Sequence, residues 1–175
     1  MTRPTILAAL LLVLVPVCAS AQSSAIGVSV GSGESLEDGL NFEFGDTIVQ
    51  LYYETTFGVG TTFRVQYGTF DTEVELQGET ELQTFDSTVE FVNLIGQYEF
   101  DEVYGQSALF AGLGLYRNEV EGLDAEKDWG LVLGVNGTFP VTRRFALTAE
   151  IAYHWADFEQ NLSVLVVSGG AKIRF

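Results

Sequence analysis

Apolar and polar side chains alternate along most of this chain, most regularly near its C-terminal end. In LSVLVVSGGAKIRF, residues 162–175, Leu165, Val167, Ala171, Ile173 and Phe175 share one parity; Ser168, Gly170, Lys172 and Arg174 share the other. A period of two puts successive side chains on opposite faces of an extended strand. The pattern recurs upstream and predicts eight strands: 24–31, 47–54, 57–70, 87–100, 106–119, 128–139, 143–158 and 162–175. One face carries Ile26, Val28, Leu51, Val59, Phe63, Val65, Leu94, Leu113, Leu133 and Ile151. The other carries Gln50, Gly60, Thr62, Gln66, Asn93, Gln97 and Thr148. No stretch sustains a helical period.

The predicted connections are long at 32–46, 71–86 and 120–127, with the strands flanking 71–86 able to extend into it beyond the membrane, and short at 55–56, 101–105, 140–142 and 159–161. Pro140 breaks the ladder after the sixth strand, as a residue without an amide proton must. Leu40, Phe42 and Phe44 also alternate and can extend the second strand. Long connections on one side and mostly short ones on the other suit an up-and-down barrel. The brief fourth long-side connection departs from that rhythm.

The N-terminal segment has a different character. Arg3 is followed by the apolar run Ile6 to Val15 and by Ala19-Ser20-Ala21, a small-x-small cleavage site. The run is too short for a membrane helix. Residues 1–21 are expected to be a secretory signal peptide, leaving 22–175 as one domain. Cys18 would suit an acylated leader only with a small residue before it, and Pro16-Val17 stands there. Cleavage removes the only cysteine, and with it disulfide, thiolate and zinc-thiolate chemistry.

An exported chain of alternating strands reverses the usual reading of its faces. The apolar parity is expected outward, towards lipid, and the polar parity inward, towards a narrow lumen. Aromatics fall near strand ends: Phe57, Tyr98, Phe100, Phe139, Phe145 and Phe175 at one rim, Tyr153 and Trp155 towards the other. Interfacial girdles have this distribution. The fold class predicted is therefore all-β, an eight-stranded antiparallel transmembrane barrel.

The leader, the alternation and the terminal Lys172-Ile173-Arg174-Phe175 resemble the small eight-stranded outer-membrane barrels of the OmpA and OmpX type, over nearly all of 24–175. The resemblance implies an outer-membrane location, termini on the periplasmic rim and long loops outside. It implies contact with outer-membrane lipids and lipopolysaccharide. It also implies that Phe175 is an assembly signal read by the barrel-assembly machinery. Roles in this family range from anchor to adhesin to enzyme, so the fold alone does not choose among them.

Charge narrows the choice. The chain has 24 acidic and 8 basic residues, a net charge of −16, and losing Arg3 with the leader makes the balance more acidic. Nucleic acid is excluded as a partner by repulsion. Most of the acids fall in or beside the long connections, among them Glu34, Glu37, Asp38, Asp71, Glu73, Glu75, Glu79, Glu81, Glu121 and Asp124. Carboxylates can hold calcium, but no segment has the spacing of a calcium loop, and a solvated edge explains them. No cofactor or metal is expected.

Seven ionisable residues fall on the inward parity: Glu54, Arg64, Glu99, Glu150, His154, Lys172 and Arg174. The lumen of an eight-stranded barrel is filled by side chains, so charges there must pair. Glu150 is expected to reach Lys172 or Arg174 on the next strand, and Arg64 to pair with Glu99. The only histidine, His154, invites comparison with barrels that deacylate lipid A through a His-x-Ser motif. Here the sequence is His154-Trp155-Ala156, and alanine replaces the nucleophile, with Ser163 the nearest serine. The expected function is non-enzymatic: a monomeric barrel acting in envelope structure or surface interaction. A narrow channel is the alternative, and a lipid A-modifying enzyme comes after it.

Overall fold

A computed structural model describes residues 23–36, 46–58, 60–77, 82–102, 105–120, 125–158 and 162–175. Eight strands form one closed antiparallel barrel: β1 (Ser23–Ser35), β2 (Asp46–Phe57), β3 (Thr61–Gln77), β4 (Leu82–Glu102), β5 (Gly105–Val120), β6 (Glu126–Pro140), β7 (Phe145–Ala156) and β8 (Leu162–Arg174). Each strand pairs with its sequence neighbours, and β1 pairs with β8. Closure removes the free edges that an open sheet would present. The closing seam continues past the ladder, where Phe175 N–H donates to the Ser24 carbonyl at 2.8 Å and Ser24 N–H to the Phe175 carbonyl at 3.2 Å. The start of β1 and the end of β8 therefore lie with the β2–β3, β4–β5 and β6–β7 connections at one end, the terminal end. The β1–β2, β3–β4, β5–β6 and β7–β8 connections join strands at the opposite, loop end.

The faces sort as the alternation requires. The exterior carries Val28, Leu51, Phe63, Leu94, Leu113, Leu133 and Ile151, with Leu94 58% exposed and Trp129 64%. The interior carries Gln50, Arg64, Asn93, Phe110, His154 and Val166, all nearly inaccessible. Aromatics line the terminal rim, where Tyr98 meets Phe100 edge-on at 5.0 Å and Phe57 meets Phe63 at 5.5 Å. Towards the loop end the exterior adds Tyr67 and Trp129 to Tyr153 and Trp155.

Several strand boundaries differ from expectation, β1 for instance running on to Ser35. The β2–β3 turn is at residues 58–60, not 55–56. Gly58 and Gly60 have φ of 65° and 74°, which an unbranched backbone adopts without strain. Thr55, Thr56 and Phe57 remain in the ladder, opposite Phe63, Thr62 and Thr61. Of the two readings of residues 71–86, strand extension holds: β3 and β4 run on in register to Gln77 opposite Leu82. The sequence goes on alternating there through Thr72, Val74 and Leu76, a signal masked by its acids. Finally, β7 begins at Phe145 rather than 143. Val141 and Thr142 donate backbone bonds to the Phe145 carbonyl, and the Thr142 hydroxyl accepts from Phe145 N–H at 2.9 Å. The leader with Cys18, the extension through Leu40 to Phe44, and Glu37, Asp38, Glu79, Glu81, Glu121 and Asp124 lie outside the described residues.

Candidate functional site in the lumen

The lumen divides into two unlike halves. Towards the terminal end it is polar and ionic. Arg64 on β3 is 2% exposed and donates to Glu150 on β7 at 2.5 Å and to Glu54 on β2 at 3.5 Å. Lys172 on β8 donates to the other oxygen of Glu54. The four residues form one connected, charge-balanced cluster spanning the barrel. The Arg64 guanidinium also lies 4.5 Å from the centre of the Tyr52 ring and 5.9 Å from that of Phe110. Nearby, Asn136 donates to Gln97 at 2.6 Å and Ser29 to Gln50 at 2.7 Å.

Partners differ from the expected ones because register, not adjacency, decides them. Glu150 stands opposite Ser168, while Lys172 stands opposite Ala146. Four residues of strand separate Ser168 from Lys172, roughly 13 Å at about 3.3 Å each. Glu150 instead crosses the lumen to Arg64. The misplaced β2–β3 turn concealed a further contact: a turn at 55–56 would set Arg64 opposite Thr47, whereas the true one sets it opposite Glu54. Glu99 does not meet Arg64, which stands opposite Ile95. Its carboxylate accepts from Thr62 at 2.7 Å. Arg174 donates to Gln106 at 2.9 Å.

Towards the loop end the lumen is apolar, which the expected polar interior did not include. Ile48, Phe70, Val89, Phe91, Tyr116, Val132, Ala152, Ala156, Phe158, Val164 and Val166 form one buried cluster with Ile95 and Phe110. The signal was present in parity: Phe91 and Ile95 alternate in step with Asn93, and Val164 and Val166 in step with Ser168. Rings fit because glycines face them. A Cβ on Gly68 would come within 2.3 Å of the Phe91 ring, and one on Gly134 within 2.4 Å of the Phe110 ring. Each aromatic lies over the bare backbone of the neighbouring strand.

His154 belongs to this half, apart from the ionic cluster. It is 0% exposed, stands between Val132 and Val164 in register, and packs 4.9 Å from the Phe91 ring centre. Its Nδ1 is 2.9 Å from the Tyr116 hydroxyl. Its Nε2 has no partner among the described residues. Ser163, the nearest serine in sequence, stands opposite Trp155 and bonds to the Tyr153 hydroxyl at 3.0 Å. No cluster of His, Cys, Asp or Glu able to hold a metal occurs among the described residues. The described lumen therefore holds charges together in one half and packs apolar side chains in the other.

A closed eight-stranded barrel, apolar outside and filled inside, is the architecture of small outer-membrane barrel proteins, and comparison with solved structures bears this out at the level of fold. Neisserial surface protein A superposes with a TM-score of 0.65 at 16% identity, over 87% of this chain and 96% of that one. A major outer-membrane protein from Thermus thermophilus gives 0.63 at 14% identity, over 87% and 99%. Ail, the attachment invasion locus protein of Yersinia pestis, in complex with the heparin analogue sucrose octasulfate, gives 0.59 at 16%, over 87% and 98%. No protein-family model matches the chain. No curated protein matches it by sequence.

Proposed function

We propose that this protein is a non-enzymatic, monomeric outer-membrane barrel that contributes to envelope structure or surface interaction through acidic external loops. The observation that carries this reading is the combination of a continuous apolar exterior with a lumen closed by side chains. Such a wall is stable only against lipid, because a contiguous apolar exterior of this extent would drive aggregation in water. The terminal end would face the periplasm and the loop end the medium, with outer-membrane lipids and lipopolysaccharide around the barrel. Phe175 would serve the barrel-assembly machinery during insertion. The net charge of −16 sets this chain apart from a receptor for polyanions such as the sulfated ligand held by Ail. It suits instead a cationic or neutral surface partner.

Expression with its own leader in a Gram-negative host tests the reading. The protein should fractionate with the outer membrane and migrate faster unheated than boiled. External protease should cleave it at the loop end only. Recovery as a soluble periplasmic protein would reject the proposal. A narrow conduit is the second reading, favoured by the charged terminal half of the lumen and opposed by the apolar half above it. Lipid A modification has the least support, since His154 bonds to Tyr116 rather than to a serine.

A further inference from the structure

At the terminal end, beneath the ionic cluster, the lumen opens into a cavity of about 220 Å³ lined by Glu54, Thr56, Glu99, Gln106, Lys172 and Arg174, with residues 23–25 of β1. The charges around it are not equivalent. Glu54 is spent, since its two oxygens accept from Lys172 and Arg64. Glu99 and Arg174 are not. Among the described residues neither forms an ion pair; Glu99 accepts only from Thr62, and Arg174 donates its side-chain bond only to Gln106. The guanidinium keeps most of its N–H donors, and Lys172 keeps two of its three. One anion and one cation, neither in an ion pair among the described residues, thus share a cavity, with Arg174 also in the field of Glu54.

That arrangement selects a ligand class. A simple anion drawn to Arg174 meets the field of Glu99, and a simple cation drawn to Glu99 meets that of Arg174. A small molecule with both charges, held apart, satisfies both. We infer that this vestibule is a binding site for a small zwitterion of the amino-acid or dipeptide class, its carboxylate on Arg174 and its ammonium on Glu99. The size agrees: the cavity is below the range of about 300–1,000 Å³ typical of drug-sized ligands. The apolar half of the lumen closes the site from above, so the ligand enters and leaves by one mouth.

The test is titration of the folded protein in detergent micelles, followed by backbone amide NMR shifts. The probes are L-alanyl-L-alanine, its N-acetylated form, which keeps only the negative charge, and its C-terminal amide, which keeps only the positive one. The dipeptide should bind saturably and shift amides around Glu99, Gln106 and Arg174. Each singly charged form should bind at least about tenfold more weakly, as the loss of one charge-assisted contact requires. Arg174→Gln and Glu99→Gln should each weaken the dipeptide similarly, with barrel resonances elsewhere unchanged. No saturable dipeptide binding overturns the inference. Equal binding of either blocked form overturns it too, and this comparison on the wild type decides even where a variant fails to fold.

Discussion

Arg64 is the residue on which the ionic half of the lumen turns. It touches both carboxylates, and removing it strands Glu150 in a nearly dry setting while leaving Glu54 to Lys172 alone. Arg64→Met should therefore destabilise the barrel by about 3–5 kcal/mol, since an unpaired buried charge costs more than the pair contributes. Urea unfolding in lipid vesicles, followed by fluorescence of Trp129 and Trp155, measures it. A loss below about 1 kcal/mol, the usual worth of exposed pairs, would mean that water already solvates the cluster. His154 is a different case, being packed among rings and holding one hydroxyl. His154→Ala should leave the mass spectrum of host lipid A unchanged. A deacylated species produced by the wild type and lost in the variant would reinstate the enzyme reading.

Within elements, inward glycines decide how the strands can fill the barrel. Gly68 on β3 seats the ring of Phe91 on β4, which in turn stacks on Tyr116 of β5 at 5.6 Å. Gly68→Val would push Phe91 into that stack. The expected cost is about 1–3 kcal/mol, the range for overpacking a filled core, read by the same unfolding assay. Gly96 faces outward, where a Cβ would meet only the Ala111 carbonyl oxygen at 4.0 Å, and Gly96→Ala should change stability far less. At the end of β8, Phe175 is 69% exposed and its backbone closes the seam against Ser24. Phe175→Asp should lower the yield of heat-modifiable, membrane-inserted protein more than Asp71→Phe does. Equal yields would remove the assembly role from Phe175.

The whole molecule behaves as a wall with a plug. Ions entering from the terminal end would meet paired charges and then the buried layer of Phe91, Tyr116 and His154. Planar bilayers containing the wild type should show no steady conductance. Phe91→Ala combined with Tyr116→Ala should open discrete steps. Steady channels from the wild type would favour the conduit. The exterior makes a separate prediction: lipids brominated on their acyl chains should quench the tryptophan fluorescence strongly, and aqueous iodide weakly. The reverse order would place Trp129 in water and reject the membrane reading.

What the sequence determined by itself was the set of local choices. Period-two alternation assigns every strand residue to one of two faces, and this requires no knowledge of what lies across the barrel. So the strand count, the antiparallel class and the inward parity of Glu54, Arg64, Glu150 and Lys172 were legible. Pairing was not, because it depends on where each turn falls. A turn moved from 55–56 to 58–60 brings Arg64 from Thr47 to Glu54. Closure then brings β3 and β7, far apart in sequence, within one side-chain length across the lumen, so that Arg64 meets Glu150. The apolar plug arises in the same way. Phe70, Phe91, Tyr116 and Val164 sit on four different strands, each with few apolar companions on its own inward face. Only the curvature and closure of the sheet gather those side chains into one layer.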